Sequence, residues 1–177
     1  MKKRKFAAAL ISVAIAASIL LAGTALAYMF RRTETKVNTF DLAEVSCSVS
    51  ESFSGDQKTS ITVTNTGNIN AFVRVRLVSY WLDAEGNVAP KNSIDPTVNL
   101  GAGWFRGSDG AYYYRYPVGP GSASPNLISS GTAILLSKDG DYKQVIEVFA
   151  EAVQSLPANA VTESWPVNID GDGNLSN

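Results

Sequence analysis

Apolar and polar residues alternate one by one along three stretches of this chain, 42–53, 71–82 and 144–153. In the second stretch, Val73 and Val75 fall on one side and Arg74 falls on the other. Successive side chains point to opposite faces only when the chain is extended, and a helix would mix the two sets. The pattern therefore predicts half-buried β-strands.

Shorter strands are expected between clusters of turn-forming residues, at 59–64, 112–116, 131–137 and 167–169, and the stretch 156–163 is expected to form one short helix. The residues expected in the core are Val73, Val75, Leu77, Ile146 and Val148. The apolar face of the first strand is expected to hold Val45, Cys47, Val49 and Phe53. Many strands with few helices predict an all-β fold, an antiparallel two-sheet β-sandwich of jelly-roll type after an N-terminal signal helix.

The first 27 residues have the three parts of a secretory signal peptide. Four basic residues occupy positions 2–5, no charge interrupts 6–22, and the small residues Ala25 and Ala27 stand where a signal peptidase reads the chain. Cleavage is therefore expected before Tyr28, and contact with the membrane is expected only while the signal peptide is attached. An apolar stretch of this length also leaves open an uncleaved membrane anchor.

Four parts of the chain follow from these patterns: a signal peptide at 1–27, a mobile segment at 28–40, a β-sandwich domain at 41–170 and a flexible tail at 171–177. Four of the 15 basic residues lie within 1–27, which leaves 11 basic against 16 acidic residues and a net charge of −5. An acidic chain lacks the positive surface that would neutralise phosphates, so nucleic acid is not expected as a partner.

The chain contains no histidine and one cysteine, Cys47. The lack of histidine excludes catalytic triads that use imidazole and zinc sites of the HExxH type. A single cysteine excludes an intramolecular disulfide. Carboxylate pairs such as Glu147 and Glu151 are better explained as solvated residues of a strand face than as glycosidase acids. The tail sequence 170–174 resembles half of a calcium loop but lacks its later ligands. Neither an enzyme activity nor a cofactor or metal site is therefore expected.

Aromatic residues concentrate between 104 and 116. Alternation places some of these rings in the core, yet an exposed set could bind a sugar or a protein. The residues of this possible binding face are Trp104, Phe105, Tyr112, Tyr114 and Tyr116. Core packing and ligand binding both remain open at this stage.

Residues 23–28 and 38–40 resemble the signal region of proteins that a SipW-type signal peptidase processes in Gram-positive bacteria. The stretches 64–77, 104–121 and 146–155 are similar to small members of the TasA and camelysin family. The resemblance implies export, a jelly-roll sandwich and, as in TasA, assembly into matrix fibres in which an N-terminal segment completes a neighbour's sheet. Camelysin is described as a metallopeptidase, but this chain has no histidine or matching metal motif to support that activity.

Two functions are consistent with these observations. The first is a secreted, non-enzymatic structural protein of the cell surface or biofilm matrix, whose partners would be the signal peptidase and copies of itself or related matrix proteins. The second is a monomeric extracellular module that binds carbohydrate or protein through the aromatic face. Association without added ligand would favour the first, and saturable ligand binding at constant mass would favour the second.

Overall fold

A computed structural model describes residues 42–177 of the chain. This part is mostly β, with one short helix, α1, at Asn159–Ser164. The longer strands are β1 at Cys47–Ser54, β2 at Gln57–Asn65, β3 at Ala71–Leu82 and β8 at Tyr142–Gln154. The shorter ones are β4 at Trp104–Arg106, β5 at Tyr112–Tyr114, β6 at Ile134–Leu135, β7 at Lys138–Asp139, β9 at Asn168–Ile169 and β10 at Leu175–Ser176.

The strands form antiparallel sheets, as the alternating sequence predicts. One sheet has the order β1-β2-β6, a second has the order β4-β5-β3-β8-β7, and β9 pairs with β10. The longest ladder joins β3 to β8 from Ala71 opposite Gln154 to Leu82 opposite Lys143. The predicted bounds of β3 are confirmed, and the short helix begins three residues later than expected.

The main core contains side chains from both larger sheets. Ile61 and Val63 come from β2, and Val73, Val75 and Ile146 come from β3 and β8. Leu77 and Val148 are partly buried and pack against this cluster. The five expected core positions therefore all contact the core, and Val73 and Val75 are completely inaccessible to solvent.

The opposite face of the five-stranded sheet differs from the expectation that it faces solvent. A second core covers it at one end and includes Phe72, Phe105 and Tyr113, together with Trp165 that follows α1. Arg74, expected to point into solvent, lies beside this cluster and retains only 8% of its accessible surface. A period of two identifies the two faces of a strand but not whether another element covers the second face.

The stretch 171–177 is expected to be a flexible tail, and the structure differs there. Leu175 pairs with Ile169 across the β9–β10 hairpin and is completely buried in the second core. Its backbone N–H donates to the carbonyl of Arg115 over 2.9 Å. The segment is mostly polar, but the hairpin turn directs its one large apolar side chain, Leu175, into the core.

The signal peptide 1–27, the segment 28–40 and the cleavage residues Ala25, Ala27 and Tyr28 lie outside the described residues. Within 42–177, no helix has the length and apolar character that a membrane span requires.

Candidate functional site

Strand β8 forms hydrogen bonds with β3 along its whole length, but its other edge is mostly open. There β7 pairs only with the first two residues, Tyr142 and Lys143. From Ile146 to Gln154, β3 is the only strand among those of residues 42–177 that pairs with β8. Along these nine residues the edge has no strand partner within the described part of the chain.

Two observed contacts show which groups of β8 point toward the open edge. The N–H of Gln144 donates to Ser137, away from β3, and the carbonyl of Ile146 accepts a hydrogen bond from a side chain on the same side. Backbone groups alternate between the two edges of an antiparallel strand. The N–H and C=O groups of Val148, Ala150 and Ala152 therefore face the open edge as well.

Within the described residues, strand β1 pairs only with β2 and so presents a second open edge. On β2, the N–H and C=O groups of Ile61 and Val63 point away from β1 and bond to the segment 124–127. Their partners on β1, Glu51 and Val49, are consequently non-hydrogen-bonded pairs of the ladder. Their backbone groups therefore point outward, away from β2.

The two open edges face each other across a groove of about 750 Å³, which we call the edge groove. Cα atoms of β1 and β8 approach within 8 Å, without a ladder between the two strands. The groove is lined by Val49, Glu51, Phe53, Lys58, Ile146, Glu147, Val148 and Phe149. A strand hydrogen-bonded on both sides requires about 9.6 Å between its neighbours, twice the usual strand spacing, so the edges would separate slightly to receive one.

Two aromatic rings of the edge groove are accessible to solvent. Phe53 exposes 56% of its surface and Phe149 exposes 50%. Phe53 is on the predicted inward face of β1, but the sheet opens at this end and leaves the ring uncovered. Exposed apolar side chains beside unpaired backbone groups are the features that favour addition of a strand.

Lys58 closes one end of the edge groove and is 1% exposed. Its ammonium group forms an ion pair with Glu51 and donates to the carbonyl oxygen of Ile146 over 2.9 Å. A bulge produces this placement: Ser52 is opposite Ser60 but Phe53 is opposite Lys58, so the ladder skips Thr59. The extra residue turns Lys58 to the inward side, and its Nζ lies 4.8 Å from the centre of the Phe53 ring.

Carboxylates surround the edge groove. Glu51 and Glu147 line it, and Glu151 lies farther along β8. Burial, and then the negative charge of Glu151, raise the pKa of the Cys47 thiol on β1. Cys47 is therefore a half-buried thiol that favours its neutral form, which agrees with its expected role as a strand residue.

The aromatic residues expected to form a binding face are mostly covered. Three of the five, Trp104, Phe105 and Tyr112, are buried. Tyr114 is partly buried, and Tyr116 alone of the five is exposed. The rings pack on one another: Tyr114 lies 5.5 Å from Trp104 and 5.6 Å from Tyr116 between ring centres. Both cores use these rings, which favours the core-packing alternative, and ligand binding by the more exposed rings stays a prediction.

A polar network accompanies the second core. The guanidinium of Arg74 donates to Glu151 over 2.7 Å and to the hydroxyl of Tyr113 over 3.1 Å. Burial by itself lowers the pKa of Arg74, but these two hydrogen bonds and the charge of Glu151 raise it overall. Arg76 and the Tyr113 hydroxyl both donate to Asp109, over 3.0 Å each. The network compensates the charge of a buried cation, and the Nε atom of Arg74 is left without a hydrogen-bond partner among the described residues.

The acidic groups that the sequence singled out have structural partners. Glu147 accepts from Tyr80 over 2.7 Å, and Glu151 binds Arg74. Asp170 accepts from the N–H groups of Asp172 and Asn174, which closes the turn of the β9–β10 hairpin. Within residues 42–177, no group of three or more Cys, Asp or Glu residues is arranged to hold a metal ion.

Sequence reasoning missed the edge groove and its buried lysine. Alternation predicts the strands, but it does not indicate which edges remain unpaired, and a bulge in β2 is not visible in the pattern. Comparison of the chain with protein-family models, curated proteins and solved structures gave no match.

Proposed function

We propose that this chain is an exported, non-enzymatic structural protein of the cell surface or biofilm matrix, whose subunits associate when an extended segment of one enters the edge groove of another. Its sheets are arranged as a two-sheet β-sandwich of jelly-roll type, similar to TasA and camelysin. A SipW-type signal peptidase removes residues 1–27. The observation that carries the proposal is the pair of unpaired strand edges, β1 and β8, that face each other.

The chemistry of the edge groove fits a peptide strand better than a small molecule. Outward-facing backbone groups of Val148, Ala150 and Ala152 provide donors and acceptors at every second residue, the spacing that another strand presents. Main-chain hydrogen bonds give affinity with little dependence on sequence, and neighbouring apolar positions give selectivity. The exposed ring of Phe149 provides such a position.

The proposed donor is the segment 28–40 of a neighbouring subunit. It is 13 residues long, enough to pair with the seven residues of β8 from Val148 to Gln154. It carries Arg31, Arg32 and Lys36, whereas Glu147, which lines the edge groove, forms no ion pair with another described residue. Opposite charges would steer the segment to the groove and favour one partner over others.

Two forms of the protein test the proposal, one spanning Tyr28–Asn177 and a shorter one beginning at Asp41. Their masses are compared by light scattering over a wide concentration range. We expect the longer form to increase in mass with concentration and the shorter form to remain monomeric. Equal behaviour of the two, whether both associate or neither does, would contradict strand exchange.

A proline substitution tests the edge itself. In Ala150→Pro the ring removes an N–H that faces the edge groove and is not used by β3, so we expect association to be lost with the fold retained. The matched control is Arg106→Pro on the outer edge of β4, where the N–H also points away from the neighbouring strand. We expect the control to associate like the parent.

A further inference from the structure

The ammonium group of Lys58 occupies the position that an added strand would need at one end of the edge groove. The carbonyl of Ile146 is an outward-facing acceptor close to the end of the short β7 ladder, and Lys58 already donates to it over 2.9 Å. Lys58 comes from β2 of the other sheet, so its side chain crosses the space between the two sheets. A donor strand cannot pair with Ile146 unless this side chain moves.

Moving Lys58 is costly because the ammonium is buried and already paired. Glu51 neutralises its charge, the Ile146 carbonyl accepts from it, and only 1% of the residue is accessible. Release would leave a carboxylate without its partner and a carbonyl without its donor. The acceptor groups farther along β8, from Val148 to Gln154, meet no such obstacle among the described residues.

We infer that Lys58 is a register-determining residue of the edge groove: it stops an incoming strand at Val148 and so fixes which donor residue lies opposite each residue of β8. This inference rests on the proposed function. Strands otherwise slip easily, because main-chain hydrogen bonds repeat every two residues and do not identify a position. A fixed stop at one end of the groove allows only one register. A single polar side chain in an apolar interface often fixes the register between two chains in the same way.

The geometry also gives the relative direction of the two strands that border the edge groove. Glu51 lies near Ile146 through Lys58, whereas Cys47 lies near enough to Glu151 for its charge to raise the thiol pKa. β1 and β8 are therefore antiparallel across the groove, and a strand between them would be parallel to one and antiparallel to the other. Because Lys58 closes the end at Ile146, the donor would enter from the end at Gln154.

Disulfide scanning in Tyr28–Asn177 carrying Cys47→Ser tests the inference. One acceptor cysteine replaces either Glu147, next to the blocked Ile146, or Glu151, four residues farther along the open part of β8, and a donor cysteine is moved through positions 33–39 in turn. Intermolecular cross-links are measured on non-reducing gels. We expect cross-links to Glu151→Cys from a narrow set of donor positions and almost none to Glu147→Cys.

Substitution of Lys58 should change this pattern. In Lys58→Met we expect cross-links to Glu147→Cys to rise by about tenfold, the factor that one charge-assisted hydrogen bond supports, and the donor positions to broaden. Lys58→Arg should keep the parent pattern because it retains charge and donors. Lys138→Met, which removes an exposed ion pair with Asp56, is the matched control.

The possible outcomes separate the two proposals. A pattern unchanged by Lys58→Met would overturn the stop while leaving strand addition in place. Absence of cross-links at both acceptor positions in every variant would overturn strand addition and the stop together. If Lys58→Met does not fold, Glu51→Gln weakens the anchoring of Lys58, and an unchanged pattern in that variant would also overturn the inference.

Discussion

The Nζ atom of Lys58 on β2 lies 2.9 Å from the carbonyl oxygen of Ile146 on β8 and joins the two larger sheets at one end of the edge groove. Elsewhere apolar packing between their facing sides holds the sheets together. A directional contact of a buried charge at a single point leaves the rest of the groove free to open. Lys58 can therefore hold the two sheets together at one end of the edge groove while the rest of the groove accepts a strand.

Arg74 should contribute far more to stability than its neighbour Arg76. We expect Arg74→Met to lower the free energy of unfolding by about 2–3 kcal/mol, because it leaves the buried Tyr113 hydroxyl without its donor and leaves Glu151 with only the longer contact to Arg76. Arg76 is largely exposed and shares the same carboxylates, so Arg76→Met should cost less than about 1 kcal/mol. Urea unfolding measures both values, and equal losses would contradict the description of the second core.

The C-terminal segment should stabilise the fold through Leu175. Leu175→Ala should cost about 2–4 kcal/mol, since it opens a cavity in the second core where the side chain is completely buried. Leu156→Ala is the control, because that side chain is 78% exposed and its loss should change stability little. Thermal unfolding of the two variants decides the point, and equal midpoints would restore the expectation of a flexible tail.

The thiol of Cys47 should titrate at a higher pH in the folded protein than in the unfolded chain, because burial and Glu151 disfavour the thiolate. Iodoacetamide should therefore react more slowly with the native protein across the alkaline range. The stability that this group supplies is complete below its unfolded pKa and is lost as pH rises through its folded pKa. Cys47→Ser should reduce that alkaline loss, and identical titration in urea and in buffer would refute the prediction.

The secreted protein should begin at Tyr28, because Ala25 and Ala27 are the small residues that a signal peptidase reads. N-terminal sequencing checks this. Ala27→Tyr should block processing by its size, whereas Thr24→Ser should be processed normally. A start at Met1, or beyond Asn38, would show that the cleavage site is wrong.

The strands and the main core follow from the sequence because side-chain alternation is a local property. Val73, Val75 and Ile146 alternate with polar neighbours, and burial of one strand face is the direct consequence. The turn at Gly55 and the β7–β8 turn at Gly140 are also local, since glycine adopts the positive φ that each needs. The absence of histidine is read from the sequence and limits the chemistry of any fold that it adopts.

Contacts between distant segments decided the rest. Arg74 is buried because Trp165, 91 residues later, covers its face of the sheet, and no local pattern encodes that approach. Lys58 turns inward because a bulge at Thr59 shifts the ladder by one residue, which depends on how β1 and β2 pair. The edge groove exists because β7 ends after two residues and leaves β8 unpaired. Contacts between residues far apart in the chain determine which strands pair, which sheet edges stay open and whether a second face is covered. Only the tertiary structure therefore decides these features.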